Sequence, residues 1–199
     1  YTHYGGDVYV SFSGGKDSTV LLHLVRSLYP DVPAVFSDTG LEFPEIRQFV
    51  KSTENVTCLR PAMTFRQVIE KHGYPVIGKE QSEWVQRMRS GSESVLRAKY
   101  YGIMPDGRRT RFKLSEQWRY LLDAPFRIGA GCCNEMKKKP LKKYAKETGR
   151  VPFIGTMAAE SKLRTQLWLK NGCNAFQAKR PISTPLSFWT EADIWAYIR

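Results

Sequence analysis

A six-residue loop near the start of the chain constrains the fold more than any other feature. It joins an extended apolar run, Val8–Phe12, to a helical run, Thr19–Leu28, and reads Ser13-Gly14-Gly15-Lys16-Asp17-Ser18. Two adjacent glycines let the backbone adopt positive φ angles, so successive N–H groups can converge on an oxyanion where the helix dipole also favours negative charge. The lysine adds a cation, and the serines add hydroxyl donors. This junction predicts a phosphate-binding loop between a β-strand and an α-helix.

The N-terminal part of the chain alternates between strand and helix patterns. In order, it predicts a strand at Val8–Phe12, a helix at Thr19–Leu28, a strand at Ala34–Ser37, a helix at Pro44–Lys51 and a strand at Val56–Leu59. Thr64 and Gln67 form a capping box for a helix that ends near His72. This alternation predicts a parallel sheet, whose ligands lie beyond the carboxyl ends of the strands.

Polar helical segments replace the strand pattern between Gly78 and Arg127. They cover Glu83–Arg89, Glu93–Tyr101 and Ser115–Leu122, and they predict a helical insertion at 78–127 within a single domain, 1–199. The strand and helix alternation then returns with Lys137–Glu147 (helix), Val151–Ile154 (strand) and Glu160–Lys170 (helix). A last helix begins at Glu191 and has no stop signal before Arg199, so we expect this sequence to be truncated within a longer protein.

The spacing of the first loop separates it from two familiar phosphate loops. A Walker A loop needs four residues between its first Gly and Gly-Lys, and a dinucleotide fingerprint needs G-x-G-x-x-G. The loop resembles instead the pyrophosphate loop (PP-loop) of the N-type ATP pyrophosphatases, in the adenine nucleotide alpha-hydrolase superfamily. That superfamily includes the phosphoadenosine phosphosulfate reductases, whose Asp-Thr-Gly, two variable residues, Phe-Pro-Glu-Thr segment resembles Asp38-Thr39-Gly40-Leu41-Glu42-Phe43-Pro44-Glu45. Ile46 stands where threonine is common.

This resemblance implies an α/β fold, a three-layer α/β/α sandwich with a mostly parallel, Rossmann-like sheet. It also implies a nucleotide site in which the loop amides, Lys16 and Ser18 hold phosphates. Asp38, followed by Thr39 and Gly40, would contact the ribose or Mg²⁺. The alternative for Asp38 is a turn residue that is satisfied by its own backbone before Gly40.

A cysteine pair lies in a third segment that resembles iron–sulfur sulfonucleotide reductases: Gly131-Cys132-Cys133-Asn134-Glu135-Met136-Lys137-Lys138-Lys139-Pro140-Leu141. The resemblance implies that Cys132 and Cys133 ligate a [4Fe–4S] cluster, with Cys173 as a candidate third ligand and further ligands outside this chain. Relatives supply a second pair from a Cys-x-x-Cys that this sequence lacks. The alternatives are free thiols or thiols that carry a persulfide. Cys58, at a strand end, is expected to be buried.

Two further segments carry the resemblance along the chain. Gly155-Thr156-Met157-Ala158-Ala159-Glu160-Ser161-Lys162-Leu163-Arg164 takes the place of a Gly-x-Arg, then Ser, then Arg motif, with Met157 replacing the first arginine. Arg164 remains a candidate to bind phosphate or sulfate bidentately, and the alternative is a capped surface helix. The segment Pro185–Ile198 resembles a Pro-Leu, Trp-Thr, Asp-Val/Ile-Trp segment of the reductases, and its apolar spacing indicates a helix packed on a core.

The chain is strongly basic, with 31 Lys and Arg against 19 Asp and Glu, which gives a formal net charge of 31 − 19 = +12. Basic residues cluster in two places, Lys137, Lys138, Lys139, Lys142, Lys143, Lys146 and Arg150, and then Arg108, Arg109, Arg111 and Lys113. Such charge is consistent with a polyanionic ligand or with nucleic acid such as tRNA or DNA. The alternative is a solvated helix face and a basic loop.

Cysteine use and hydropathy favour a cytoplasmic protein. Four cysteines do not make a disulfide framework in a chain of this size, and no apolar run approaches the roughly 20 residues of a membrane span, so no membrane partner is expected. His3, His23 and His72 lack the spacing of a metal site and are expected at the surface or on helix faces.

The resemblance implies an enzyme of sulfur metabolism, and two reactions stay open. One is reduction of a sulfonucleotide by a terminal cysteine, with a partner such as thioredoxin; its Glu-Cys-Gly-Leu-type tail is absent from this sequence. The other is ATP-dependent adenylation of an acceptor, with pyrophosphate release and sulfur delivered from a donor such as a cysteine desulfurase, which the net charge favours. Lys16, Asp38 and Cys133 would be the catalytic residues. The non-enzymatic alternative is a nucleotide-gated nucleic-acid-binding module.

Overall fold

The computed structural model describes all 199 residues and divides them into two compact units. The sheet unit comprises Tyr1–Pro61 and Lys137–Arg199, and the helical unit comprises Ala62–Met136. The predicted insertion at 78–127 falls inside the helical unit, and its status as an insertion in a single domain stays a prediction. No helix has both the length and the apolar character needed to cross a membrane.

The sheet unit is built on four parallel strands in the spatial order β3-β2-β1-β4. Their bounds are Val8–Ser11 (β1), Ala34–Ser37 (β2), Val56–Leu59 (β3) and Val151–Ile154 (β4). In β1, Val10 is in register with Ala34 on one side and with Phe153 on the other. The α/β fold class is thereby confirmed, with an all-parallel sheet flanked by helices.

Eight α-helices follow in chain order. Their bounds are Lys16–Leu28 (α1), Pro44–Ser52 (α2), Phe65–His72 (α3), Lys79–Ser90 (α4), Glu93–Leu96 (α5), Lys139–Thr148 (α6), Lys162–Asn171 (α7) and Glu191–Ile198 (α8). Short 3₁₀ segments lie at Thr2–Tyr4, Glu116–Asp123 and Ala158–Glu160, and π-helical turns lie at Arg97–Tyr101 and Asn134–Lys138. The π-helical turn at Asn134–Lys138 leads directly into α6.

The core of the sheet unit lies between the central strands and the helices packed on them. Val8, Val10 and Ala34 are fully buried, as are Leu21 of α1 and Ile194 of α8. Such continuous apolar strands are typical of a parallel sheet that is covered on both faces.

β3, at one edge of the sheet, is the exception to this burial. Thr57 and Cys58 are exposed, so the expectation of a buried Cys58 was wrong. An edge strand pairs on one side only and is covered less fully than the central strands, so a side chain at its end stays exposed.

The helical unit packs around a smaller cluster that includes Trp84, Val85, Leu114 and Ile128. Its α3 begins with the predicted capping box of Thr64 and Gln67. The guanidinium of Arg89, at the end of α4, donates to the carbonyl oxygens of Leu122 and Phe126 at 2.9 and 2.6 Å, and also to that of Ala124. One side chain thus satisfies three carbonyls at and just beyond the C-terminal end of the 3₁₀ segment, where intrahelical donors run out.

Candidate functional site

The loop Ser13–Ser18 lies at the carboxyl end of β1 and opens α1, as the sequence predicts. Gly14 has a φ of +72°, which L-residues with side chains rarely adopt. A Cβ at this position would lie 2.8 Å from Cγ2 of Ile46 on α2 and 3.1 Å from Cγ2 of Val50. Glycine is therefore required here both for its backbone conformation and for the close approach of α2.

The two serine hydroxyls hold the loop in shape. The Ser13 and Ser18 hydroxyl oxygens lie 3.0 Å apart, and the Ser18 hydroxyl donates to the Gly15 carbonyl oxygen at 2.9 Å. The Ser13 amide donates to the Ser18 hydroxyl oxygen at 3.2 Å. Ser18 is buried, and its hydroxyl is hydrogen-bonded within the loop. A direct contact of either serine with phosphate stays a prediction.

Four amides of the loop have no acceptor within the protein: those of Gly14, Lys16, Asp17 and Ser18. The first helical hydrogen bond of α1 runs from the Thr19 amide to the Gly15 carbonyl at 3.0 Å. Unsatisfied amides at a helix N-terminus carry partial positive charge and are a common site for an oxyanion. The loop can therefore receive a phosphate group without breaking a backbone hydrogen bond.

Lys16 supplies a full positive charge beside these amides. Its ammonium lies 3.0 Å from Oδ1 of Asp17 and 3.3 Å from Oε1 of Glu191, the first residue of α8. The hydrogen bond to Asp17 raises the pKa of Lys16, burial opposes this in part, and Glu191 adds a further upward contribution. Lys16 is therefore protonated at neutral pH and available to an anion.

The backbone that follows β4 also approaches the loop. Strand β4 pairs with β1 on the side opposite β2. A Cβ at Gly155, which follows β4, would lie 3.0 Å from the Asp17 carbonyl oxygen and 3.4 Å from the Ser18 nitrogen. The chain runs from β1 to β2 and β3 on one side and returns to β4 on the other. Ligands of such sheets bind where the strand order reverses, which here is between β1 and β4.

Arg164 lies on the first turn of α7 and pairs with a neighbouring carboxylate. Its backbone amide donates to the Ser161 hydroxyl at 3.3 Å, and its guanidinium forms an ion pair with Glu160. The same carboxylate accepts from the Met157 amide at 2.6 Å. Arg164 also lines a small cavity of about 80 Å³ together with Met157. Binding of phosphate or sulfate by Arg164 stays a prediction. To bind such an anion, the guanidinium would either leave the Glu160 carboxylate or contact both groups.

Asp38 lies at the carboxyl end of β2 and is satisfied within the protein. One carboxylate oxygen accepts from the Gly40 amide at 3.1 Å, and the other accepts from Nη2 of Arg47 at 3.2 Å. Thr39 donates its amide and its hydroxyl to the carboxylate of Glu42, at 3.1 and 2.7 Å. This is the turn arrangement that the sequence left as an alternative, while a ribose or Mg²⁺ contact of Asp38 remains a prediction. The sequence did not predict Arg47 as the partner of Asp38.

The cysteines do not assemble into a metal site in this structure. Cys132 and Cys133 are partly buried free thiols in the helical unit, on the helical turn that leads into Asn134–Lys138. Cys173 is a partly buried free thiol in the sheet unit. No group of three or more His, Cys, Asp or Glu side chains is placed to hold a metal ion. A cluster at Cys132 and Cys133 would need ligands from outside this chain, and it stays a prediction.

His72 and Glu135 form a pair in the helical unit that the sequence did not predict. Nε2 of His72 lies 3.2 Å from Oε1 of the buried Glu135. A Cβ at Gly131 would lie 2.7 Å from Cγ of the same imidazole, so the ring packs directly on the backbone before the cysteine pair. The two partners are distant in sequence, and no motif or spacing signals their contact.

The basic cluster around α6 is exposed. Exposed members are Lys137, Lys138, Lys139, Lys142, Lys143 and Lys146. Within this segment Lys143 pairs with Glu147 at 3.8 Å, and Lys139 also has an interaction partner. The second basic cluster is also exposed at Arg108, Arg109 and Arg111, and Arg108 pairs with Asp106 at 2.6 Å. Most of this charge is available to an external polyanion.

Comparison with known proteins matches two overlapping parts of the chain, residues 7–94 and 79–199, to the family model of the phosphoadenosine phosphosulfate reductase domain. An uncharacterized protein of Methanocaldococcus jannaschii, MJ0066, is 28% identical over 203 residues, which covers 96% of this chain and 31% of the relative. The adenosine 5'-phosphosulfate reductase of Staphylococcus epidermidis is 26% identical over 206 residues, covering all of this chain and 63% of the relative. This chain thus spans about a third to two thirds of these relatives.

A similar fold occurs in a crystal structure of the phosphoadenylyl-sulfate reductase of Candida auris in complex with phosphate. The TM-score is 0.51 at 16% sequence identity, over 96% of this chain and 71% of that one. At this identity the likeness concerns the fold alone. The family model covers nearly the whole chain, and the parallel sheet with its helices agrees with it. The chain belongs to the phosphoadenosine phosphosulfate reductase domain family.

Proposed function

We propose that this chain binds an adenine nucleotide at the loop Ser13–Ser18 and acts as a sulfur-metabolism enzyme. The observation that carries the proposal is the set of loop amides without a protein acceptor, placed at a helix N-terminus beside Lys16. Such an arrangement favours an oxyanion such as a phosphate group. The name of the Staphylococcus epidermidis relative, an adenosine 5'-phosphosulfate reductase, supports an adenine nucleotide as the phosphate-bearing ligand.

Within this function we favour ATP-dependent sulfur transfer to a nucleic acid such as tRNA or DNA. In this reaction an acceptor oxygen attacks the α-phosphorus of ATP and pyrophosphate leaves. The outer sulfur of a cysteine persulfide then displaces AMP from the activated acceptor. A second thiol cleaves the sulfur–sulfur bond, which releases the thiolated acceptor and leaves a disulfide that an external dithiol reduces. The loop amides and Lys16 would stabilise the charge that develops on the departing pyrophosphate. The net charge of +12 and the exposed lysines around α6 support a polyanionic acceptor.

Cys132 and Cys133 enter this proposal as thiols that carry sulfur from a donor such as a cysteine desulfurase, with Cys133 as the catalytic one. An iron–sulfur cluster at these cysteines would need ligands from outside this chain, because the chain itself places no group of three candidate ligands together. Mg²⁺ would accompany ATP, and Asp38 is the carboxylate we propose for the metal or for the ribose. Asp38 would then share its oxygens with Arg47 and the Gly40 amide.

Reduction of a sulfonucleotide is the second candidate, and the names of the relatives favour it. A cysteine thiolate would attack the sulfur of the sulfonucleotide, breaking its bond to the phosphate oxygen so that the nucleotide leaves and an S-sulfocysteine forms. A dithiol reductant such as thioredoxin would then release sulfite and become a disulfide. The non-enzymatic candidate, a nucleotide-gated nucleic-acid-binding module, is favoured by Met157. This residue stands at an arginine position of the family motif, and its side chain is buried at 3% exposure.

Product assays separate these functions. ATP turnover to pyrophosphate that tRNA or DNA stimulates supports the transferase, and sulfite release from phosphoadenosine phosphosulfate or adenosine phosphosulfate with thioredoxin supports the reductase. Nucleotide binding without either product supports the module. The control pair is Lys16→Ala and Lys51→Ala, which remove the same charge inside and outside the loop. Absence of any nucleotide binding would overturn the proposal as a whole.

A further inference from the structure

The ammonium of Lys16 is shared between the phosphate loop and a helix from the far end of the chain. Its carboxylate partners are Asp17, at 3.0 Å within the loop, and Glu191, at 3.3 Å on α8. It also lies 6.0 Å from the centre of the Trp195 ring on the same helix. The cation that would meet a phosphate thus also contacts α8.

The position of Glu191 is fixed by the way α8 packs on α1. Thr190 caps α8 through a reciprocal capping box with Asp193, which fixes the backbone on which Glu191 begins the helix. One turn later, Ile194 is fully buried in the core. Near the end of the helix, the Tyr197 hydroxyl lies 2.7 Å from Nδ1 of His23 on α1. Contacts at both ends therefore keep Glu191 beside Lys16.

This arrangement places a carboxylate close to any phosphate that Lys16 binds. A phosphate oxygen would lie about 3 Å from the ammonium, so it and the Glu191 carboxylate would come within about 6 Å of each other. Two anions at this separation repel, although an ammonium has three donors and can contact both. The repulsion grows with the charge of the bound anion.

We propose that Glu191 is a positioning residue that holds Lys16 against α8 and competes with phosphate for it. The proposal rests on the phosphate-binding function proposed above. Its consequence is selectivity by charge, because Glu191 opposes a polyphosphate more strongly than a single phosphate group. Asp17 is not assigned this role, because it is part of the loop and cannot hold Lys16 against α8.

Removal of the charge in Glu191→Gln should therefore tighten binding of inorganic pyrophosphate by about two- to fivefold, the range expected for an exposed ion pair. Binding of orthophosphate should tighten less. Glu191→Asp retains the charge and should stay near the wild type. A merely structural role in starting α8 would weaken binding or leave it unchanged.

The test is calorimetric titration of the full chain with pyrophosphate and with orthophosphate. The matched control is Glu147→Gln, which removes the same charge from an exposed glutamate that pairs with Lys143 on α6, outside the loop. Tightening in Glu191→Gln but not in Glu147→Gln supports the proposal, with circular dichroism verifying that both variants fold. Equal or weaker pyrophosphate binding in Glu191→Gln overturns it.

Lys16→Ala separates this inference from the function on which it rests. If pyrophosphate binds the wild type, is lost in Lys16→Ala and is unchanged in Glu191→Gln, the role of Glu191 is wrong and the phosphate loop stands. If pyrophosphate fails to bind the wild type, both the loop function and the role of Glu191 are overturned.

Discussion

The two units of this protein are stabilised by different means. In the sheet unit, parallel backbone pairing orders the strands, and the loops after β1, β2 and β4 emerge at one edge of the sheet. The helical unit contains none of the four strands, and its order comes from a smaller apolar cluster and from side chains such as Arg89. Backbone pairing leaves a recognisable pattern in the sequence, whereas contacts between single distant side chains do not.

A matched pair of core leucines should show the largest difference between the units. Leu21 in α1 and Leu114 in the helical unit are both fully buried. We expect Leu21→Ala to lower the free energy of unfolding by about 4 kcal/mol, because the packed sheet core relaxes little around the cavity. Leu114→Ala should lower it by about 2 kcal/mol, since a small cluster collapses more easily. Urea denaturation measures both, and an equal or larger loss in Leu114→Ala would contradict the expected difference between the two cores.

Alkaline pH should destabilise the sheet unit by favouring ionisation of Tyr9 on β1. Burial, and then repulsion from the ionised Tyr144 on α6, raise the pKa of Tyr9 to about 12 from its ordinary value of 10.0. Because the unfolded chain loses this proton first, the stabilisation is complete below pH 10 and declines as the pH rises towards 12. The expected loss is about 3 kcal/mol over that window.

Denaturation midpoints at pH 9 and pH 11.5 would test this alkaline loss. Tyr9→Phe should show a smaller decline than the wild type. Tyr120→Phe, at an exposed site of the helical unit, should decline like the wild type. Identical alkaline declines in the wild type and Tyr9→Phe would remove Tyr9 as the cause.

Two glycines with the same backbone angle separate strain from steric crowding at the loop. Gly14 and Gly149 both have a φ of +72°, but a Cβ at Gly149 would meet nothing within 4 Å. Gly149→Ala should therefore lower the free energy of unfolding by about 1 kcal/mol, from the backbone alone. Gly14→Ala should lower it by about 2 kcal/mol and weaken nucleotide binding, because Ile46 must also move. Thermal denaturation and nucleotide titration give the two readouts; similar behaviour of both variants would argue against a crowded loop.

The smallest effect should come from Arg89 in the helical unit. Arg89→Ala leaves the carbonyls of Leu122, Ala124 and Phe126 without a protein donor, but the site is exposed and water replaces part of the loss, so we expect about 1 kcal/mol. Arg87→Ala, on the same helix, breaks only a surface pair with Glu83 and should change stability by about 0.3 kcal/mol. Hydrogen exchange at residues 116–126 should rise in the first variant alone. Equal exchange in both would contradict a specific role for Arg89.

Sequence patterns predicted the sheet more closely than the details of the site. The strands at Ala34–Ser37, Val56–Leu59 and Val151–Ile154 match their predicted bounds, because short apolar runs between turn residues are distinctive. Helix α1 begins at Lys16 rather than at Thr19, since Gly15 serves as its N-cap and the loop itself forms the first turn. Its apolar periodicity begins later than its helical backbone.

The site was predictable where its residues are contiguous. The loop Ser13–Ser18 could be found because one stretch of sequence contains both the turn and the charge. The approach of Gly155 to Asp17 and the pairing of Glu191 with Lys16 depend on how distant segments pack, which no local spacing encodes. The turn hydrogen bonds of Asp38 are compatible with either of the roles that the sequence left open.

The most direct test of the account is nucleotide binding by calorimetry, with ATP and phosphoadenosine phosphosulfate titrated into the wild type, Lys16→Ala and Lys51→Ala. We expect ATP to bind the wild type and Lys51→Ala alike, and Lys16→Ala to weaken ATP binding by about tenfold or more, the effect of losing one charged hydrogen bond. Preference for the sulfonucleotide would retain the loop and favour the reductase. Equal ATP affinity in all three proteins, or binding of neither nucleotide, would contradict the assignment of Ser13–Ser18 as a phosphate loop.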